Sequence, residues 1–198
     1  MKKLIICIGL TCLWSCSSGS QNTESDEFEA TEEETAFEEY VNSLTPVPLP
    51  FTTHSMEGEL PVFSPKFNKE AFAQYKNQYA EAPVGILFKN DASVAIMHYG
   101  AGEFGSVPTI VTYDWEGHKL DSLMPYEKSA LDLGYEAVEY VTFQDDHTFF
   151  VADSVKRWTI NEDGSDIVKG TLQLTTDTVW YEIEEGGQIK KINKPSEL

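Results

Sequence analysis

Six residues, Gly100-Ala101-Gly102-Glu103-Phe104-Gly105, have the G-x-G-x-x-G spacing of a phosphate-cradling turn, and an apolar run precedes them. That chemistry needs a helix next, so that the helix N-terminus meets the pyrophosphate. The next residues are instead Ser106-Val107-Pro108-Thr109-Ile110-Val111, a β-branched run interrupted by proline. The segment reads as a flexible glycine loop between strands, and no cofactor is expected. His54, His98, His118 and His147 are scattered without an H-x-x-x-H pair, so they read as surface or capping groups rather than metal ligands. Asn161-Glu162-Asp163-Gly164-Ser165-Asp166 invites a calcium reading, but its glycine is fourth where the EF-hand places it sixth, and a turn is the better use. No G-x-S-x-G elbow is present, so no catalytic residue is assigned. With 33 Asp and Glu in 198 residues, carboxylate pairs of the glycosidase kind are available by type, and that availability discriminates nothing.

The remaining chemistry is aromatic. In Thr178-Val179-Trp180-Tyr181-Glu182-Ile183, strand alternation puts Val179, Tyr181 and Ile183 on one face and Trp180 with Thr178 and Glu182 on the other. An indole on a polar face can stack on a sugar ring or a partner, which makes Trp180 the candidate ligand-binding residue. The bland reading, and the favoured one, is that an N-terminal helix covers that face and buries the indole.

The elements that must position these groups change character along the chain. Thr31-Glu32-Glu33-Glu34 has the form of a capping box, and Phe37, Tyr40, Val41 and Leu44 then recur at helical spacing. Pro46, Pro48 and Pro50 end that helix and force an extended segment, whose Val47, Leu49 and Phe51 should pack along their own domain. A second short helix is expected over Asn68 to Tyr79, capped by Asn68, with Phe72, Tyr75 and Tyr79 on one side. From Pro83 the period becomes two. Strands are expected at Val84–Lys89, Ser93–Tyr99, Thr109–Trp115, Lys119–Leu123, Ala137–Phe143, Thr148–Ile160, Gly170–Ile183 and Gln188–Ile192, joined by Asn-, Asp- and Gly-rich turns. Short joints demand antiparallel neighbours. A recurring strand, acidic turn and aliphatic residue suggests a propeller hairpin, but about 110 residues of β-structure cannot close a ring of blades of 40–50 residues each. The fold expected is mainly β: an antiparallel meander of about eight strands, a single twisted sheet curled into a half-barrel or sandwich, with one or two short N-terminal helices against one face.

The N-terminus carries an address. Met1-Lys2-Lys3 precedes Leu4 to Trp14, an uncharged and mostly apolar run that would rise about 16 Å as a helix, roughly half a bilayer's hydrocarbon core. That length suits a signal peptide. Its end, Leu13-Trp14-Ser15-Cys16, resembles a bacterial lipobox. The resemblance implies cleavage before Cys16 and acylation of that cysteine, hence attachment to a membrane through lipid. The other cysteines, Cys7 and Cys12, would leave with the leader, so the mature chain would hold no disulfide and no thiol nucleophile. Ser17 is not the Asp that retains many such lipoproteins in the inner membrane, which implies the cell outer membrane. Ser17 to Glu27 has no large apolar residue and should be a solvated tether. Within the acidic stretch, Ser25, Asp26, Glu27, Phe28 and Glu29 resemble the export tag of Bacteroidota-type surface lipoproteins; an acidic run leading into a helix would give the same letters.

The expected organisation is a signal peptide over 1–15, a lipidated tether over 16–30, a helical and Pro-rich lead-in over 31–82 and an antiparallel β domain over 83–194. A net charge of −19 repels nucleic acid, which is excluded as a partner. The expected function is that of an outer-membrane-anchored lipoprotein, facing outward with the periplasmic face as alternative, that binds a glycan or supports an outer-membrane protein complex. The rival is a cell-envelope hydrolase with an acidic active site.

Overall fold

The computed structural model describes residues 32–61, 63–145 and 147–195. Thr31, Cys16 and Ser25 to Glu29 lie outside them. The helical stripe forms α1 (Glu32–Asn42), and the proline segment leads into β1 (Phe51–His54). Asn68 then caps α2 (Lys69–Tyr75), its side-chain oxygen accepting from the amides of Glu70 and Ala71. The β-structure continues as β2 (Ala82–Lys89), β3 (Val94–Ala101), β4 (Ser106–Tyr113), β5 (Lys119–Leu123), β6 (Ala130–Asp132), β7 (Tyr135–Phe143), β8 (Thr148–Arg157), β9 (Gln173–Thr175), β10 (Thr178–Ile183) and β11 (Ile189–Ile192).

The protein is mainly β and antiparallel, a sandwich that does not close into a barrel. One sheet is the meander β2-β3-β4-β5; the other runs β1-β7-β8-β10-β11, with β6 also beside β7 and β9 also beside β8. Between the sheets lie Val84, Leu87, Ala95, Met97 and Ile110 from the first, against Val141, Phe143, Phe149, Val151, Tyr181 and Ile183 from the second. The opposite face of the four-stranded sheet, through Ile86, Val94, Ile96, Val111 and Tyr113, receives Phe37, Tyr40, Val41 and Leu44 of the α1 segment and Phe72 and Tyr75 of α2. That sheet is thus buried on both sides, which is why β2 and β3 read as nearly unbroken apolar runs.

The structure differs from the expectation in particulars. Two sheets replace one curled sheet, because the helices shield the far face of β2–β5 and leave its near face for a second layer. Gly170–Ile183 divides into β9 and β10, and β8 ends at Arg157 rather than Ile160. α2 stops at Tyr75, so Tyr79 lies beyond it and is 69% exposed. The proline segment packs along its own domain as expected: the Val47 amide donates to the Ile86 carbonyl and the Ile86 amide to that of Thr45. Gly85 permits this approach, since a Cβ there would stand 2.4 Å from the Thr45 carbonyl oxygen.

Candidate functional site

The seven-stranded sheet turns one face to the core and leaves the other uncovered by any described element. Alternation in β7 and β8 decides which side chains stand there. Ala137, Glu139, Val141 and Phe143 point inward with Phe149, Val151, Asp153 and Val155, so Val138, Tyr140 and Thr142 point outward with Phe150, Ala152 and Ser154. In β10, Tyr181 and Ile183 are buried while Trp180 faces outward between Thr178 and Glu182, as the alternation predicts. The helices pack on the other sheet, so the expectation that a helix buries the indole fails.

The side chain that partly covers Trp180 is its cross-strand neighbour. Trp180 pairs with Phe150 on one side and with Ile192 on the other. The Trp180 and Phe150 rings meet at 4.7 Å between centroids, tilted by 41°. One step along, Tyr140 pairs with His54 and Ala152. The Tyr140 and His54 rings are 5.7 Å apart, and Tyr140 remains 40% exposed. Thr52 and Thr142 share a hydroxyl hydrogen bond of 3.0 Å on the same face. Sequence spacing does not mark Phe150, Tyr140 or His54 as site residues. Each becomes one only through pairing with a strand far away in sequence; the legible part is the alternation Phe150, Ala152, Ser154 in β8.

The electrostatics of this face are unlike those of the chain. Its charged strand residues are Glu136, Lys156, Glu182 and Lys190, which cancel. Lys156 Nζ lies 2.7 Å from Glu136 and Lys190 Nζ 2.6 Å from Glu184.

The other candidate chemistry resolves into architecture. Gly100 to Gly105 turns from β3 into β4, the Gly102 amide donating to the Gly105 carbonyl. A Cβ at Gly100 would stand 2.2 Å from the Tyr79 carbonyl oxygen, and one at Gly105 2.4 Å from that of Glu57, so close backbone approach accounts for both glycines. This turn borders a cleft of about 150 Å³ lined also by Ser55, Tyr126, Glu127 and Ser129. The acids nearby serve as anchors. Glu139 Oε2 accepts from the amides of Lys128 and Ser129 and from the Ser129 hydroxyl, and Oε1 from the Glu127 amide. Glu57 accepts from the Thr53 hydroxyl at 2.5 Å. Lys128 is paired with Asp153, the strand neighbour of Glu139.

Of the histidines, His98 is fully buried beneath the helices, with its Nε2 3.3 Å from the Tyr40 hydroxyl. His118 sits in the β4–β5 turn, its Nδ1 3.1 Å from Asp114 and 3.3 Å from Glu116, a grouping that sequence spacing does not suggest. Asp114 there accepts from the turn's own amides, those of Glu116 and His118. Asn161 to Asp166 forms a turn closed by Asn161 and Asp163, which both accept from the Ser165 amide.

Compared with protein-family models, with curated proteins and with solved structures, the chain matches none of them.

Proposed function

We propose that this chain is an outer-membrane-anchored lipoprotein, displayed on the outside of the cell, that acts as a binding or assembly component through the outer face of its seven-stranded sheet. The observation that carries the reading is the Trp180–Phe150 pair, a half-buried aromatic contact on a sheet face that no described element covers. Large apolar groups left on an open face reward a partner that removes them from water. The leader, the lipobox-like Leu13 to Cys16 and the acidic stretch after it support the address. In this reading the lipid at Cys16 supplies the attachment; among the described residues no helix is long and apolar enough to cross a membrane.

The test is photocrosslinking in cells, from a photoreactive side chain at position 178 on this face and at Glu38 on the exposed side of α1. Position 178 should give a discrete crosslinked product, and Trp180→Ala should reduce it about tenfold, the scale of a truncated aromatic anchor. Products from Glu38 alone, or products indifferent to Trp180, would move the contact surface elsewhere.

A further inference from the structure

We infer that this face takes a neutral carbohydrate chain, with Trp180 and Tyr140 as the rings on which its sugars stack; the inference rests on the proposed binding function and names its ligand class.

Charge selects first. The chain carries −19, yet Glu136, Lys156, Glu182 and Lys190 cancel on this face, and Lys156 and Lys190 are already paired with acids. A phosphate or polyanion finds no unmatched cation here and is repelled by the whole molecule. Glu182, one row beyond Trp180, keeps its charge because Lys190 turns to Glu184, and a single carboxylate at the end of the face does not select a cation. The complementary ligand is uncharged.

Shape selects next. The clefts beside the Gly102–Gly105 turn are lined by none of the outward-facing strand residues of the seven-stranded sheet, whose outer face is open. A small compact ligand is held by enclosure on most of its surface. An open sheet suits an extended ligand that touches several rows. From Trp180, Tyr140 lies two strands across, through Phe150 and Thr142, and two residues along. At about 4.8 Å per strand and 3.4 Å per residue, the two backbones are roughly 12 Å apart. A single sugar cannot reach both rings; a chain of sugars can. Ala152, between Tyr140 and Thr178 in register, keeps the floor between the rings low.

Surface chemistry points the same way. A pyranose has one face of C–H groups and a rim of hydroxyls. The C–H face meets the electron-rich face of an aromatic ring, and the rim needs donors and acceptors beside it. Thr52, Thr142, Thr178 and Ser154 supply neutral hydroxyls at this face.

The test is affinity electrophoresis of the full-length protein in detergent, through gels containing a β-glucan, a mannan or a xylan, with polygalacturonate as a charged comparison. At least one neutral polymer should retard the wild type and polygalacturonate should not. Trp180→Ala should weaken the retardation at least tenfold and Tyr140→Ala measurably, both with unchanged circular dichroism. Should Trp180→Ala lose its fold, Tyr140→Ala decides alone, because that ring already stands 40% in solvent. No retardation by any neutral polymer, or equal retardation of wild type and Tyr140→Ala, overturns the inference. If the neutral polymers fail while position 178 still crosslinks to a protein in a Trp180-dependent way, the carbohydrate is wrong and the binding face stands. If both fail, both readings fall.

Discussion

Two buried residues show how single side chains set the conditions under which this sandwich holds. Burial pushes the His98 imidazole down to about 3 from the ordinary 6.5, with Lys76 adding a like charge nearby. The folded state therefore binds this proton less readily than the unfolded chain. Stability from this site is fully present above about pH 6.5 and is lost as the pH falls toward 3, by about 1.4 kcal/mol per unit. Its contacts include the Tyr40 hydroxyl, itself held protonated by burial, and the Phe72 ring edge, neither of which can stabilise an imidazolium by charge. Urea midpoints measured from pH 7 to pH 4 should fall more steeply for wild type than for His98→Gln, and parallel curves would show that the imidazole does not couple to folding. Glu139 is a carboxylate that organises the backbone. Its two oxygens receive three amides and a hydroxyl from Glu127 to Ser129, so Glu139→Gln turns an amide donor toward amide donors. The expected loss is about 3 kcal/mol in chemical denaturation, with faster hydrogen exchange at Lys128 and Ser129. Loss of stability without faster exchange there would mean that the carboxylate supports the sheet rather than the loop.

At the scale of elements, the β3–β4 turn is a packing device, and its glycine can be set against an unconstrained one by substitution. Gly105→Ala forces a Cβ onto the Glu57 carbonyl, whereas Gly58→Ala meets nothing within 4 Å. The first should lose about 2 kcal/mol or more, and the second should be neutral or slightly stabilising, read as Tm shifts that differ in size or sign. Equal effects would mean that the turn yields. The same elements show what a sequence alone conveys. Lys119–Leu123 is the strand β5 at both ends, and Phe37, Tyr40, Val41 and Leu44 form the buried stripe of the first helical segment, because period and caps are local properties. β1 is hidden in the sequence by its proline-rich approach and its four residues, and β6 by having only three, too few for alternation to register; for Gly170–Ile183 it is the break between β9 and β10 that the sequence does not mark. The assignment of layers is illegible for another reason. Which sheet the helices cover depends on long-range packing, and that choice leaves Trp180 half-buried on a face without helices. Its partner Phe150 is thirty positions away, and only the register of β8 on β10 brings the rings together.

For the molecule as a whole, the acidic balance and the order of segments bear on where the protein stands. In the proposed reading, lipid at Cys16, then an acidic leader, then a folded body would let an export machine read Ser25 to Glu29 without opening the sandwich. In the proposed arrangement the acidic stretch would act as a self-repelling spacer, and a chain of net charge −19 is repelled by an anionic lipid surface. Cys16→Ala should shift the protein from the membrane fraction to the soluble fraction, and labelled palmitate on that variant would mean that another cysteine is acylated. Protease added to intact cells should then shave the wild type. A variant with Asp26, Glu27 and Glu29 changed to Ala should be protected while it remains in the membrane fraction, because those changes leave Cys16 untouched. Wild type already protected in intact cells would end the claim of outward display and place the sheet face in the periplasm. Equal shaving of both would leave display intact and reduce the three acids to spacer. The experiment also bears on the sheet face, since the Trp180 contact needs its partner on the same side of the membrane as the folded body.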